Sequence, residues 1–209
     1  MRLAGTPSPM SDLSTRDQII AAADRLFYRQ GYERTSFSDI ADVVRISRGN
    51  FYYHFKSKDE ILDAVIEARL AEVRTMLGNW EQREEDPAGR IRSFIRMLLA
   101  NRTDIKRFGC PVGTLSAELA KLNHPAQPEA SGLFGLFRAW LRQQFVLLGR
   151  EADADALAMH LLAWSQGVAS LANALRDDAF IQREVAEIDA WLAACIRAPG
   201  RKRQRRSAE

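Results

Sequence analysis

GYERTSFSDIADVVRISRGNFYYHFKSKDEIL, residues 31–62, is the stretch that decides how this chain folds. Ser36 precedes an apolar run and Asp39 follows three residues later, the reciprocal spacing that caps the start of a helix. Phe37, Ile40, Ala41 and Val44 form the inner face of that short helix. A tight break at Arg45–Ile46 ends it. Ser47 then caps a further helix with Phe51 and Phe55 facing inward, and Lys56–Ser57 closes it. Upstream, Thr15 and Gln18 have capping-box spacing, and Ile19, Ile20, Ala23, Leu26 and Phe27 recur on one helical face. Gly31 stands where a helix C-cap favours glycine. Downstream, a long helix from near Lys58 towards Glu85 carries Ile61, Leu62, Val65, Ile66, Leu70, Val73 and Leu77 inward. Two short capped helices, a tight turn and a supporting helix predict a helix-turn-helix from about Phe37 to Phe55.

In such a unit the second helix enters the major groove of DNA. Its outer side here presents Arg48, Gly49, Asn50, Tyr52, Tyr53 and His54. Arg can fork onto guanine O6 and N7, and Asn can pair with adenine. The Tyr hydroxyls, His54, Lys56 and Lys58 can reach phosphates, which position the protein without reading sequence. Gly49 leaves room for close approach of the backbone. A purely structural, aromatic packing helix is the competing reading. Phe51 and Phe55 fit it, but the uncovered Tyr52, Tyr53 and His54 do not.

The same segment resembles the DNA-binding domain of the TetR family of regulators. The resemblance runs over about 45 residues from Gln18. It rests on the Gly-Tyr-x-x-Thr-Ser opening, the Asp-Ile-Ala core and the Phe-Tyr-x-His-Phe-x-Ser-Lys-x-x-Ile-Leu close. It implies base-reading positions at Ser38, Arg48, Gly49, Asn50 and Tyr52, and phosphate positions at Ser36, Ser47, Tyr53, His54 and Lys58. One departure stands out. The family usually has Gly in the turn where this chain has Arg45, and a left-handed Arg costs about 1 kcal/mol. The resemblance further implies an all-α, nine-helix homodimer. Its N-terminal helices would bind a palindromic double-stranded operator, its helical body would bind a small-molecule effector, and its last two helices would form the dimer interface. Repression relieved by the effector is the family's default.

The remainder of the chain reads as five further helices, about 87–102, 111–122, 129–148, 153–175 and 178–196, which independently brings the count to nine. The last two are apolar on more than one face, and a second protomer is the simplest way to bury them. Candidate dimer residues are Val168, Leu171, Leu175, Ile181, Val185, Ile188 and Leu192. Apolar walls with a few polar groups make small-molecule pockets. Phe94, Met97, Asn101, Phe137, Trp140, His160 and Trp164 are candidates for one. FGCPVGTLSAEL, residues 108–119, resembles a segment in the branch of the family that includes electrophile- and acyl-responsive regulators. That resemblance adds Cys110 to the pocket, where it reads either as a covalent sensor thiol or as a small buried hydrophobe.

Charge follows the same division. Residues 1–58 hold nine Lys/Arg against six Asp/Glu, residues 59–196 fifteen against twenty, and residues 197–209 six against one. Basic ends on an acidic middle suit a nucleic-acid module on a helical body. We therefore expect a flexible N-terminus over 1–13, a DNA-binding domain over 14–58, a ligand-binding and dimerisation domain over 59–198, and a disordered basic tail over 199–209. No apolar run is long enough to span a membrane, and no signal core opens the chain, so a cytoplasmic protein is expected. Two cysteines and three histidines, all dispersed, suggest neither a disulfide framework nor a metal centre, and no cofactor is expected. An enzyme would need a nucleophile elbow, a phosphate loop or paired carboxylates, none of which the sequence offers. A helical ligand-binding or interaction protein without specific DNA binding is the alternative, and the Arg48–Lys58 surface argues against it.

Overall fold

The computed structural model describes residues 13–197, except the side chain of Asp178. The expected basic tail and all but the last residue of the expected flexible N-terminus lie outside the described residues. The described chain is helical throughout: α1 (Thr15–Gln30), α2 (Phe37–Val44), α3 (Arg48–His54), α4 (Lys58–Arg83), α5 (Pro87–Ala100), α6 (Arg102–Phe108), α7 (Pro111–Lys121), α8 (Gln127–Leu147), α9 (Ala154–Leu175) and α10 (Asp178–Arg197). All nine expected helices are there. The two-turn α6 is additional: with Ile105 as its one buried residue it has no apolar stripe to read. Buried Ile105 anchors it, and Asp104 in its first turn and Lys106 and Arg107 in its last complement its dipole.

By packing, the chain forms two compact units. One holds the residues up to Thr75 together with Phe108–Leu133, and the other holds Met76–Arg107 together with Phe134 onward. The expected domain boundary at 58/59 therefore falls inside the first unit. The physical reason is a shared core. The stripes of α1 (Ile19, Ala23, Phe27), α2 (Ile40, Ala41, Val44) and α3 (Phe51) meet Ile61, Leu62 and Val65 of α4. Leu115 and Leu119 of α7 and Ala130 of α8 close the same cluster. Each Val, Leu, Ile or Phe among them, fully buried, contributes about 1.5–3 kcal/mol relative to exposure.

The caps that start these helices differ at one point from the sequence reading. α1 is capped by Ser14, whose Oγ accepts from the Asp17 N–H at 3.2 Å, one residue before the expected Thr15. Gln18 instead donates its side-chain N–H to the Leu13 carbonyl. Gly31 ends α1 with φ +94°, its N–H bonded to the Phe27 carbonyl.

In the second unit, α10 packs on α5 and α9. Trp80 lies against Trp140 (centroids 5.5 Å), Phe94 against Phe137 (5.5 Å), and Phe145 against Trp191 (6.4 Å). The expected dimer residues divide between buried and exposed positions. Val168, Ile181, Val185, Ile188 and Leu192 are buried within the protomer's own core. Side chains already removed from water by their own chain have nothing left to bury against a partner. Of the seven, only Leu171 and Leu175 are exposed, at 49% and 64%.

Candidate nucleic-acid interface

The α2–turn–α3 unit is built from caps and rings. Ser36 and Asp39 form a complete capping box on α2, and Asp39 accepts from both the N–H and the hydroxyl of Ser36 at 2.8 Å. Those bonds, the backbone one first, hold the Asp39 carboxyl below its ordinary range. Ser47 caps α3, its Oγ accepting from the Asn50 N–H at 3.3 Å. Arg45, which takes the place of the family's Gly, is the C-cap of α2 in the left-handed region (φ 61°, ψ 45°). The turn therefore keeps the geometry a glycine would give it, with the modest local strain of a non-glycine residue. Phe37 stacks edge-on against both Phe51 (5.1 Å) and Tyr52 (5.5 Å), which fixes the angle of α3 on α2.

This scaffold turns Ser38, Arg48, Gly49, Asn50, Tyr52 and Tyr53 outward, with Tyr53 79% exposed. A Cβ added at Gly49 would meet nothing within 4 Å, so the space that glycine leaves is on the outside of the molecule. Tyr53 stacks edge-on against half-buried His54. A cavity of about 140 Å³ opens among Phe37, Ser38, Ala41, Arg48, Phe51 and Tyr52.

The hydroxyls of Ser36 and Ser47 are engaged as caps, and Lys56 donates its ammonium to the Tyr52 carbonyl. Lys58 is also engaged within the protein. Its Nζ donates to the carbonyls of Tyr32 (3.1 Å) and Glu33 (3.2 Å) and lies 4.3 Å from the centre of the Tyr32 ring. It ties the loop after α1 to the start of α4.

Sequence reasoning missed what surrounds that loop. The Glu118 carboxylate on α7 accepts from the N–H groups of Tyr32 (2.9 Å) and Glu33 (3.0 Å). The Tyr32 hydroxyl donates to Asp59 at 2.5 Å and lies 3.3 Å from His124 Nε2. His124 Nδ1 accepts from the Ala126 N–H, which leaves Nε2 to carry the ring proton towards Tyr32 and Asp59. Burial, then the bond to Asp59, pushes the Tyr32 phenol up. The same bond, first among its causes, pulls the Asp59 carboxyl down. These partners are 27 to 92 residues apart in sequence, so no local pattern announces them.

The expected effector residues fall in different surroundings. Phe94, Met97, Asn101, Phe137 and Trp140 are buried in the second unit. Asn101 donates to the Met97 carbonyl, and Trp140 donates its indole N–H to Glu81. Trp164 is half-buried, and its indole nitrogen is buried without a hydrogen-bond partner among the described residues. His160, expected against an apolar stripe, is exposed and lies on Trp191 at 4.5 Å. Cys110 belongs to the first unit, half-buried at the start of α7.

An all-α chain with a capped helix-turn-helix and an outward Arg48–Asn50 face is a helix-turn-helix DNA-binding regulator in class. Comparison with known proteins narrows the class. Residues 19–65 match the family described as bacterial regulatory proteins of the tetR family. Residues 87–187 match the LmrA/YxaF-like transcriptional regulator C-terminal domain. The chain belongs to the TetR family of transcriptional regulators. It is 29% identical over 168 residues to an uncharacterised helix-turn-helix regulator of Lactococcus lactis, covering 78% of this chain and 86% of that one. It is 39% identical over 83 residues to the regulator TtgR of Pseudomonas putida, covering 39% of each. Its fold is similar to that of a TetR regulator from Legionella pneumophila (TM-score 0.76, 24% identity, 86% of this chain and 98% of that one).

Proposed function

We propose that the chain is a homodimeric repressor in the cytoplasm that holds a palindromic operator through α3 of each protomer and leaves it when a small molecule binds the helical body. The observation that carries the operator reading is the Arg48–Tyr53 face. It is outward and set by two caps and the Phe37 stack, and Arg48 and the Asn50 side chain have no partner among the described residues. Arginine and asparagine side chains are the groups that discriminate bases in the major groove.

Dimerisation is supported by α9. After Asp155 this helix carries no Asp, Glu, Lys or Arg, yet Leu171 and Leu175, one turn apart on the same side, are exposed on it. An exposed apolar face of this kind marks an interaction surface. We put the effector site in the second unit, near Phe94, Met97, Asn101, Phe137, Trp140 and Trp164, where the Trp164 indole N–H, unpaired among the described residues, is a donor awaiting an acceptor. Effector and operator would then compete through a shift between two states of the dimer, the ligand favouring the one that cannot span both half-sites. The body acts as a binding chamber rather than a catalyst, in keeping with relatives named as transcriptional regulators. Among the described residues no helix is long and apolar enough to cross a membrane.

The test is a footprint on the DNA upstream of the protein's own gene, at low salt. Protection of two symmetric half-sites is expected, and Arg48→Ala or Asn50→Ala should cost about 1–3 kcal/mol at one position per half-site. Absence of protection would overturn the reading in favour of a helical interaction protein.

A further inference from the structure

We propose that the cavity between α2 and α3 is a socket for the 5-methyl edge of a thymine, so that each half-site contains a thymine beside the guanine read by Arg48. The inference rests on the operator reading above and adds the chemistry of one base. The cavity, about 140 Å³, has a floor of Phe37, Ala41 and Phe51, the last two buried, and a mouth of exposed Ser38, Arg48 and Tyr52. Its wall is preset, since the Phe37 ring is stacked edge-on against Phe51 and Tyr52 before any ligand arrives.

Ala41 and Phe51 are already almost wholly covered, so the apolar surface the cavity shows to water is that of half-buried Phe37 and of the Tyr52 and Arg48 rim, and an apolar group that covers it is favoured. Of the groups that base pairs present in the major groove, only thymine offers a methyl. The volume is several times the roughly 10–15 Å³ that admits one water molecule, so a methyl and the adjoining ring edge fit within it. The mouth suits the same base, because the Ser38 hydroxyl can donate to thymine O4. The Arg48 guanidinium, without a partner among the described residues, is left to fork onto O6 and N7 of the neighbouring guanine. Cytosine at the socket would present an amino donor and no methyl, and that apolar surface would stay uncovered.

The experiment leaves the protein unaltered in its first arm. The full chain selects duplexes from a random library, and each thymine of the selected operator is replaced in turn by deoxyuridine, which removes only the methyl. A loss of about four-fold per half-site at one symmetric pair of positions is expected, the value of one buried methyl. In the second arm, Ala41→Val narrows the socket and, where circular dichroism finds it folded, should bind thymine and uracil operators alike. If Ala41→Val does not fold, Ser38→Ala serves instead: it should weaken binding to both operators and keep the thymine preference. Equal binding of thymine and uracil operators at every position would overturn the socket and leave the operator reading standing. An equal thymine preference in a folded Ala41→Val protein would also overturn it. Selection of no duplex at all would overturn both.

Discussion

Glu118 occupies the space that a side chain at Gly31 would need. A Cβ added to Gly31 would lie 2.9 Å from Glu118 Oε1, the oxygen that accepts from the Glu33 N–H. Gly31 also has φ +94°, a conformation that L side chains rarely adopt. One glycine therefore ends α1 and admits the carboxylate that holds the following loop. Gly31→Ala should destabilise the protein by about 1–3 kcal/mol, through strain and through loss of bonds to the displaced carboxylate. Glu118 is a flexible side chain, so the two effects are coupled. In chemical denaturation, Gly31→Ala should cost less in a Glu118→Ala background than in the wild type. Strict additivity would show that the two residues act separately.

Lys58 should behave as a structural residue. Its ammonium is given to two carbonyls and to the Tyr32 ring. Lys58→Met should lose about 1 kcal/mol of stability. The slope of log affinity against log salt should stay as in the wild type, because that slope counts neutralised phosphates. A thermal melt and a salt series of gel shifts read the two quantities. A flattened slope with an unchanged melt would return Lys58 to the phosphate role implied by family resemblance.

The Tyr32–Asp59 bond makes stability depend on pH at both ends of the range. The Asp59 carboxyl is lowered when folded, so its contribution is present above the ordinary value near 4 and is lost as pH falls through the lowered one. The Tyr32 phenol is raised, so its contribution is full below the ordinary value near 10 and is lost as pH rises towards the raised one. Denaturation curves of wild type and Tyr32→Phe should differ most between those limits and converge outside them. A constant difference from acid to alkali would show that the bond carries no linked protonation.

Two leucines near the end of the chain should respond in opposite ways to the same substitution. Leu175→Glu puts a charge on the exposed face of α9, and sedimentation should find a folded monomer. Leu192→Glu puts a charge in the protomer's own core, which costs several kcal/mol, and circular dichroism should find a protein that does not fold. A folded monomer from Leu192→Glu would restore that residue to the interface.

How much of this was legible in the sequence follows from the range of each interaction. The caps at Ser36 and Ser47, the Gly31 stop and the stripes of α1 to α4 are decided within a few residues, where hydrogen-bond reach and the 3.6-residue period leave few alternatives. The Arg48–Tyr53 face follows from the same spacing, because fixing Phe51 and Phe55 inward leaves the intervening residues outward. The Ser14 cap and α6 have too little local signal: one residue separates Ser14 from Thr15, and α6 buries a single side chain, Ile105.

Periodicity says that a helix face is buried and is silent on what buries it. Val168, Ile181 and Leu192 read equally as interface or core, and only the packing of α10 on α5 and α9 decided for the core. Lys58 read as a phosphate ligand because its other partners, the Tyr32 ring and two carbonyls, lie 25 and 26 residues away. The sequence by itself determined an all-α helix-turn-helix chain and which residues of α3 point outward, since both depend on contacts within one or two turns of helix. The tertiary structure alone decided that α7 and the start of α8 share a core with that unit, that Glu118, His124 and Asp59 converge on Tyr32, and that Phe37, Ala41 and Phe51 leave a cavity at the reading face. Each of those depends on side chains brought together across the fold, and contact order of that kind leaves no local signature.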